Sequence, residues 1–131
     1  MILLDTHVWL WRVSSPELLS STAQHAIEEA RKEGGVRVSS ISTWEVALLV
    51  KRGRLRLSLP VEDWIARNEA SSLLRFVPVD NAVATRSVNL PARLHPDPAD
   101  RVIAATALLL GCPLVTQDNK LRDFAPLRTT W

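Results

Sequence analysis

Asp5, Glu45, Asp100 and Asp118 are spread over the whole chain, yet each stands beside an apolar run. Asp5 closes the run Ile2 to Leu4, Glu45 lies just ahead of "VALLV", Asp100 precedes an alanine- and leucine-rich stretch, and Asp118 follows "PLVT". Carboxylates brought together raise one another's pKa values unless a cation holds them. Oxygen-rich sites of that kind suit Mg²⁺ or Mn²⁺, whereas the chain offers no Cys/His spacing for Zn²⁺. The chemistry this implies is phosphoryl transfer, in which a metal polarises a phosphate and activates a water.

Each acid also has a bland reading. Asp5 can cap a helix. Ser42 and Glu45 have the S-x-x-E spacing of a capping box. Asp97, Pro98 and Asp100 fit a cap, a proline at N1 and an acid at N3. Asp118 fits the turn "QDNK". The metal reading therefore depends on the elements that would bring the four together.

Those elements alternate. Strands are expected at Ile2 to Leu4, in "VRVSS", in "RFVPV" and in "PLVT", with a short fifth near Arg128 to Thr130. Helices are expected in "THVWLWR", from a Ser20 or Ser21 cap through Lys32, from Ser42 through Lys51, after Pro60, from Asp80 to about Val88, and from Ala99 to Leu110 with Gly111 at its end. This order predicts a three-layer α/β/α sandwich around a mostly parallel sheet of four or five strands. Ligands of such sheets bind beyond the carboxyl ends of the strands, which is where the four acids fall.

A chain of 131 residues, 47% hydrophobic and 23% charged, reads as a single globular domain spanning residues 1–131. The lone Cys112 forms no internal disulfide and suits a reducing, cytoplasmic setting. The longest apolar run, Val102 to Val115, is too short for a membrane span, and the N-terminus lacks the basic opening of a secretory signal. A net charge of +2 announces no nucleic-acid binder by itself. The cluster "KRGRLR" is more telling: Lys51, Arg52, Arg54 and Arg56 surround one glycine, which suits a phosphate-contacting turn or, equally, a solvated helix end.

Four segments, "LLDTHVWLW", "SSISTWEVALLVKRGRL", "HPDPADRVIAATALLLGCPLVTQD" and "LRDF", resemble the PIN-domain ribonucleases, and specifically the VapC toxins of bacterial and archaeal toxin–antitoxin pairs. The resemblance runs in order over nearly the whole chain. It implies an endoribonuclease dependent on Mg²⁺ or Mn²⁺, held inactive by a cognate antitoxin and expected to be a homodimer. Carried over residue by residue, the family's acids are Asp5, Glu45, Asp100 and Asp118, with Asp5, Asp100 and Asp118 as the metal ligands. Thr116 matches the hydroxyl of the T-x-D element, and Thr6 has a similar supporting place. Asp97 is expected to be a cap or to support the ligands. His95 reads as a loop residue or an RNA contact, His7 and His25 as packing or surface residues. Arg101 is placed to pair with Asp100 or to touch a phosphate.

Trp9, Trp11, Trp44 and Trp64 fall on expected helices, so packing is their first reading. Trp9 and Trp11, two apart, cannot share a helix face, which leaves one available to a partner. Two other function classes compete. A haloacid-dehalogenase-type phosphohydrolase also places an Asp after its first strand, but it needs a second acid two positions on, where this chain has His7. A non-catalytic interaction module would keep the acidic edge only to bind a basic partner.

Overall fold

Ile2, Leu3 and Leu4 form strand β1 (Ile2–Leu4), and their alternation sets up the layers of the molecule. Ile2 and Leu4 face one apolar cluster, Leu3 the other. The computed structural model describes all of residues 1–131. After β1 come α1 (Thr6–Ser14), a 3₁₀ turn (Pro16–Leu18), α2 (Ser21–Lys32), β2 (Val36–Ser39), α3 (Ser40–Lys51), α4 (Val61–Ala70), β3 (Arg75–Val77), α5 (Asn81–Asn89), α6 (Pro98–Leu110), β4 (Leu114–Val115), α7 (Asn119–Arg122) and β5 (Thr129–Thr130).

All five strands are parallel, in the order β3-β2-β1-β4-β5. This is the expected α/β sandwich, with the sheet covered on both faces. On one side Val8, Trp9, Ile27, Val46 and Trp64 pack against Leu4, Val36, Val38 and Val115. On the other, Ile103, Ala104, Ala107 and Leu121 pack against Leu3 and Leu114. The small side chains of α6 let that helix sit close to the sheet, and Gly111 ends it in the left-handed conformation, φ 65°.

The chain runs outward from β1 to β2 and β3, then crosses back to place β4 on the other flank of β1. The reversal opens a crevice beyond the carboxyl ends of β1 and β4. Asp5 and Thr116 are the residues that follow those two strands.

Several helix starts are fixed by side-chain caps. Ser20 caps α2, Asp80 caps α5, Asp97 caps α6 and Asp118 caps α7, each accepting a backbone N–H from the first turn. The expected Ser42–Glu45 capping box does not form. Helix α3 follows β2 directly, starts at Ser40 and is capped by Ser39, whose hydroxyl accepts the Ile41 N–H at 3.2 Å. Ser42 and Glu45 are thereby released for other contacts. Trp44, expected to pack, stands exposed on α3 instead.

Candidate active site

Asp5 is buried at the head of α1. Its Oδ1 accepts the Thr6 N–H at 2.7 Å, and its Oδ2 accepts the Thr116 hydroxyl at 2.6 Å. Thr116 Oγ1 also accepts the Asp118 N–H at 3.0 Å. One buried hydroxyl thus ties the acid after β1 to the acid after β4. Burial pushes the Asp5 carboxyl above its ordinary value, against the two hydrogen bonds that favour its charged form.

Glu45 reaches the same crevice from α3. Thr6 Oγ1 donates to its Oε1 at 2.6 Å and lies 2.7 Å from Ser42 Oγ, so Ser42, buried beneath, is the donor to Thr6. Burial, then the nearby Asp5 and Asp97 charges, raise the Glu45 carboxyl, with the Thr6 bond opposing. Asp100 arrives on the first turn of α6 and is the most perturbed group, pushed up to about 8 by burial and by the charges of Asp5, Asp97, Glu45 and Asp118. At neutral pH, and with no cation, it holds its proton.

His95 is the residue whose place the sequence did not reveal. Its Nε2 lies 3.1 Å from Asp118 Oδ2 and 3.2 Å from Asp100 Oδ2, and the ring is almost buried. The backbone N–H of Asp97 donates to its Nδ1 at 3.1 Å, so the ring proton sits on Nε2 and points between the two carboxylates. Burial alone would raise Asp118, but the His95 bond and the N–H groups of Leu121 and Lys120 outweigh it and hold that carboxyl below its ordinary value. Donor atoms of His95, Asp100 and Asp118 all fall within 4.8 Å of one another. Asp5 stands outside that tight group but lines the same cleft, as do Glu45 and Asp97. The cleft encloses about 640 Å³, and His7, Trp11 and Trp131 line it as well.

Arg101 has a different task from the one expected. Although it neighbours Asp100 in sequence, its guanidinium turns to the segment after α5 and donates to the carbonyls of Leu90 at 2.6 Å, Pro91 at 2.8 Å and Ser87 at 3.2 Å. Neither Asp100 nor any other acid pairs with it. It anchors the loop that carries His95 and Asp97. Lys51, Arg52, Arg54 and Arg56 are exposed at the far end of α3, without ion pairs. Arg52 also borders a groove shared with Trp44, Glu45 and Asp97.

The oxygen set fits a hard divalent ion. Carboxylates from the end of β1, α3, α6 and the end of β4 meet in one water-accessible cleft, and Asp5, Glu45 and Asp100 are raised there first by burial and then by one another's charge, both of which a dication relieves. The imidazole of His95 presents N–H, not a lone pair, toward Asp100 and Asp118, which makes it a support for carboxylates in place of a zinc-type ligand.

Comparison with known proteins agrees with this architecture. The chain is 39% identical over 132 residues to "Ribonuclease VapC22" of Mycobacterium tuberculosis, covering 99% of this chain and 98% of that protein. Among solved structures it is similar to VapBC2 from Rickettsia felis bound to a DNA fragment from its promoter, with TM-score 0.72 at 17% identity over 98% of this chain and 97% of that one. It is also similar to FitAcB from Neisseria gonorrhoeae, with TM-score 0.65 at 26% identity over 98% and 96% of the two chains. The family model described as the PIN domain matches residues 2–126, and with a sheet order, a switch-point crevice and an acid set of the kind set out above, the chain belongs to the PIN-domain family.

Proposed function

We propose that this chain is a metal-dependent endoribonuclease, the toxin of a toxin–antitoxin pair, which hydrolyses RNA phosphodiester bonds and is silenced by a cognate antitoxin. The observation that carries the reading is the convergence of Asp5, Glu45, Asp100 and Asp118 at the switch point of the sheet, with Asp100 pushed up to about 8. Its likeness to a ribonuclease over 99% of the chain supports the substrate class.

Asp5, Asp100 and Asp118 are the residues that would hold Mg²⁺ or Mn²⁺, with Glu45 completing the acidic set. A bound dication supplies Lewis acidity toward the phosphate and a nucleophilic water at neutral pH. The chain's own work is positional. Thr116 and the Thr6 amide orient Asp5, Thr6 and Ser42 orient Glu45, and His95 holds Asp100 beside Asp118. Glu45, raised by burial, is suited to take a proton from the attacking water. Lys51, Arg52, Arg54 and Arg56 offer exposed cations to the RNA backbone.

An antitoxin partner accords with the solved neighbours, which include a "Toxin-antitoxin complex from Klebsiella pneumoniae". A basic side chain from such a partner entering the cleft would pair with carboxylates that the chain leaves without a cation of its own. We place the active form as a homodimer. No helix of the chain is long and apolar enough to cross a membrane.

Incubating purified chain with single-stranded RNA, with Mn²⁺ or with EDTA, tests the reading. Cleavage is expected with Mn²⁺ alone, and Asp5→Asn should abolish it while the far-ultraviolet spectrum stays that of the parent. Equal cleavage in EDTA, or by Asp5→Asn, overturns the assignment.

A further inference from the structure

Besides the acids, the cleft is lined by Trp11 and Trp131, which neither hold nor orient them. Trp11, on α1, forms an aromatic corner with His7 and Trp131, with ring centroids 5.9 Å apart in both pairs and planes tilted by 52° and 55°. At those angles neither neighbour lies flat on the Trp11 indole. Trp11 and Trp131 are partly buried against the core on one side and border the cleft on the other. A core needs no second aromatic surface turned toward an aqueous, acid-lined cleft.

Gln117, Asn119 and Arg122 line the same cleft, and all three are exposed. No side chain of the three makes a hydrogen bond or ion pair within the chain. Arg122 is the notable one, since it lies in a cleft of carboxylates and pairs with none. Gln117 and Asn119 flank Asp118 in sequence, so they are carried into the cleft by the same short segment that positions a candidate ligand. Each amide offers a donor and an acceptor, and a guanidinium offers several donors.

We propose that these residues of the cleft form a nucleobase subsite. It would take one unpaired base of the RNA next to the scissile phosphate, stacked on Trp11, with its edge read by Gln117, Asn119 and Arg122. Single-stranded RNA is recognised by splaying out a base, stacking it on an aromatic or guanidinium plane and bonding its exposed edge, and the cleft offers both the plane and the edge-bonding groups. The subsite confers sequence preference on the cut. It rests on the ribonuclease reading for its ligand, though it can be tested without cleavage.

The test is a cycle between protein and substrate. Anisotropy of a labelled RNA oligonucleotide on the Asp100→Asn chain gives Kd, with the base removed at successive positions to leave abasic nucleotides. One abasic position should weaken binding by about 5- to 150-fold, the range expected for a lost base stack. Trp11→Ala, added to Asp100→Asn, should cost a similar factor, and the two removals together should cost little more than either. Trp11→Phe, which keeps an aromatic plane and most of the core packing, should bind within a few-fold of the parent. Arg122→Gln should flatten the preference among the four bases at the same position.

The proposal is overturned if the two losses multiply, if Trp11→Ala and Trp11→Phe bind alike, or if Trp11→Ala alters only self-association while RNA affinity stays unchanged. Failure of the wild-type chain to cleave RNA would strike the ribonuclease reading, whereas the cycle judges the base contact from binding alone.

Discussion

Thr116 donates its hydroxyl to Asp5 Oδ2 at 2.6 Å and accepts the Asp118 N–H at 3.0 Å, joining two acids that lie at opposite ends of the chain. The hydroxyl is fully buried, so neither contact can be replaced by bulk water. Thr116→Val keeps the shape and removes both bonds, leaving a carboxylate oxygen and an amide short of partners. The expected cost is about 1–3 kcal/mol of stability, read as a lower midpoint in urea, together with loss of cleavage. Thr116→Ser should restore most of both. A valine variant as stable as the parent would show that Asp5 draws its support from elsewhere.

Asp100 makes the stability of the metal-free chain fall with pH. Its carboxyl is pushed up to about 8 in the folded chain from an ordinary value of 3.8, so between those limits the folded chain keeps a proton that the unfolded chain has released. Stability is therefore highest near the lower limit and declines as pH rises toward the upper one. Asp5 and Glu45, also raised, add to the decline; Asp118, lowered, works against it at the acid end. In EDTA, Asp100→Asn should melt above wild type at alkaline pH and converge with it near the acid limit. Mn²⁺ should raise the wild-type midpoint most where the carboxyl is charged, and Asp100→Asn should lose most of that gain. Parallel melting curves for the two chains across the range would refute the shift.

The framework was legible because apolar runs alternate with polar breaks and because Ser20, Asp80 and Asp97 mark helix starts by the chemistry of their own side chains. What escaped was whatever depends on direction around a helix or on partners far along the chain. "SSIS" offers several serines as caps, and only the direct passage of β2 into α3 selects Ser39 and frees Glu45 to meet Thr6. Arg101 follows Asp100, yet one step along a helix is a turn of about 100°, which takes its guanidinium away from the acids. Trp44 is displaced from Glu45 by the same step and faces solvent. Helix α7, four residues long, is too short to show a period. His95 has no local signature at all, since its partner Asp118 is 23 residues away.

His95 invites a pair of substitutions that separate its two nitrogens. His95→Asn keeps an acceptor near the Asp97 N–H but is too short to reach Asp118, whereas His95→Gln places an amide donor near the position of Nε2. Isothermal titration with Mn²⁺ should show the asparagine variant weaker by roughly 10- to 100-fold, as for other groups that orient metal ligands, and the glutamine variant much less affected. An asparagine variant with undiminished affinity would mean that Asp100 and Asp118 need no bridge.

Replacing two kinds of arginine should affect the salt dependence of RNA binding differently. Arg101 spends its guanidinium on carbonyls at the end of α5, so Arg101→Leu should destabilise the chain by about 2–3 kcal/mol. It should also weaken Mn²⁺ binding, because the loop it anchors carries His95 and Asp97. The salt dependence of RNA affinity should not change. Arg54 is exposed, unpaired and next to Gly53 at the end of α3, so Arg54→Gln should leave the melting temperature within a degree or two of the parent. If it touches a phosphate, the slope of log affinity against log salt should become shallower by roughly 0.7–0.9 for that one lost contact. A change of slope in the Arg101 variant would return that residue to the RNA surface. An unchanged slope for Arg54→Gln would make "KRGRLR" a solvated helix end and no more.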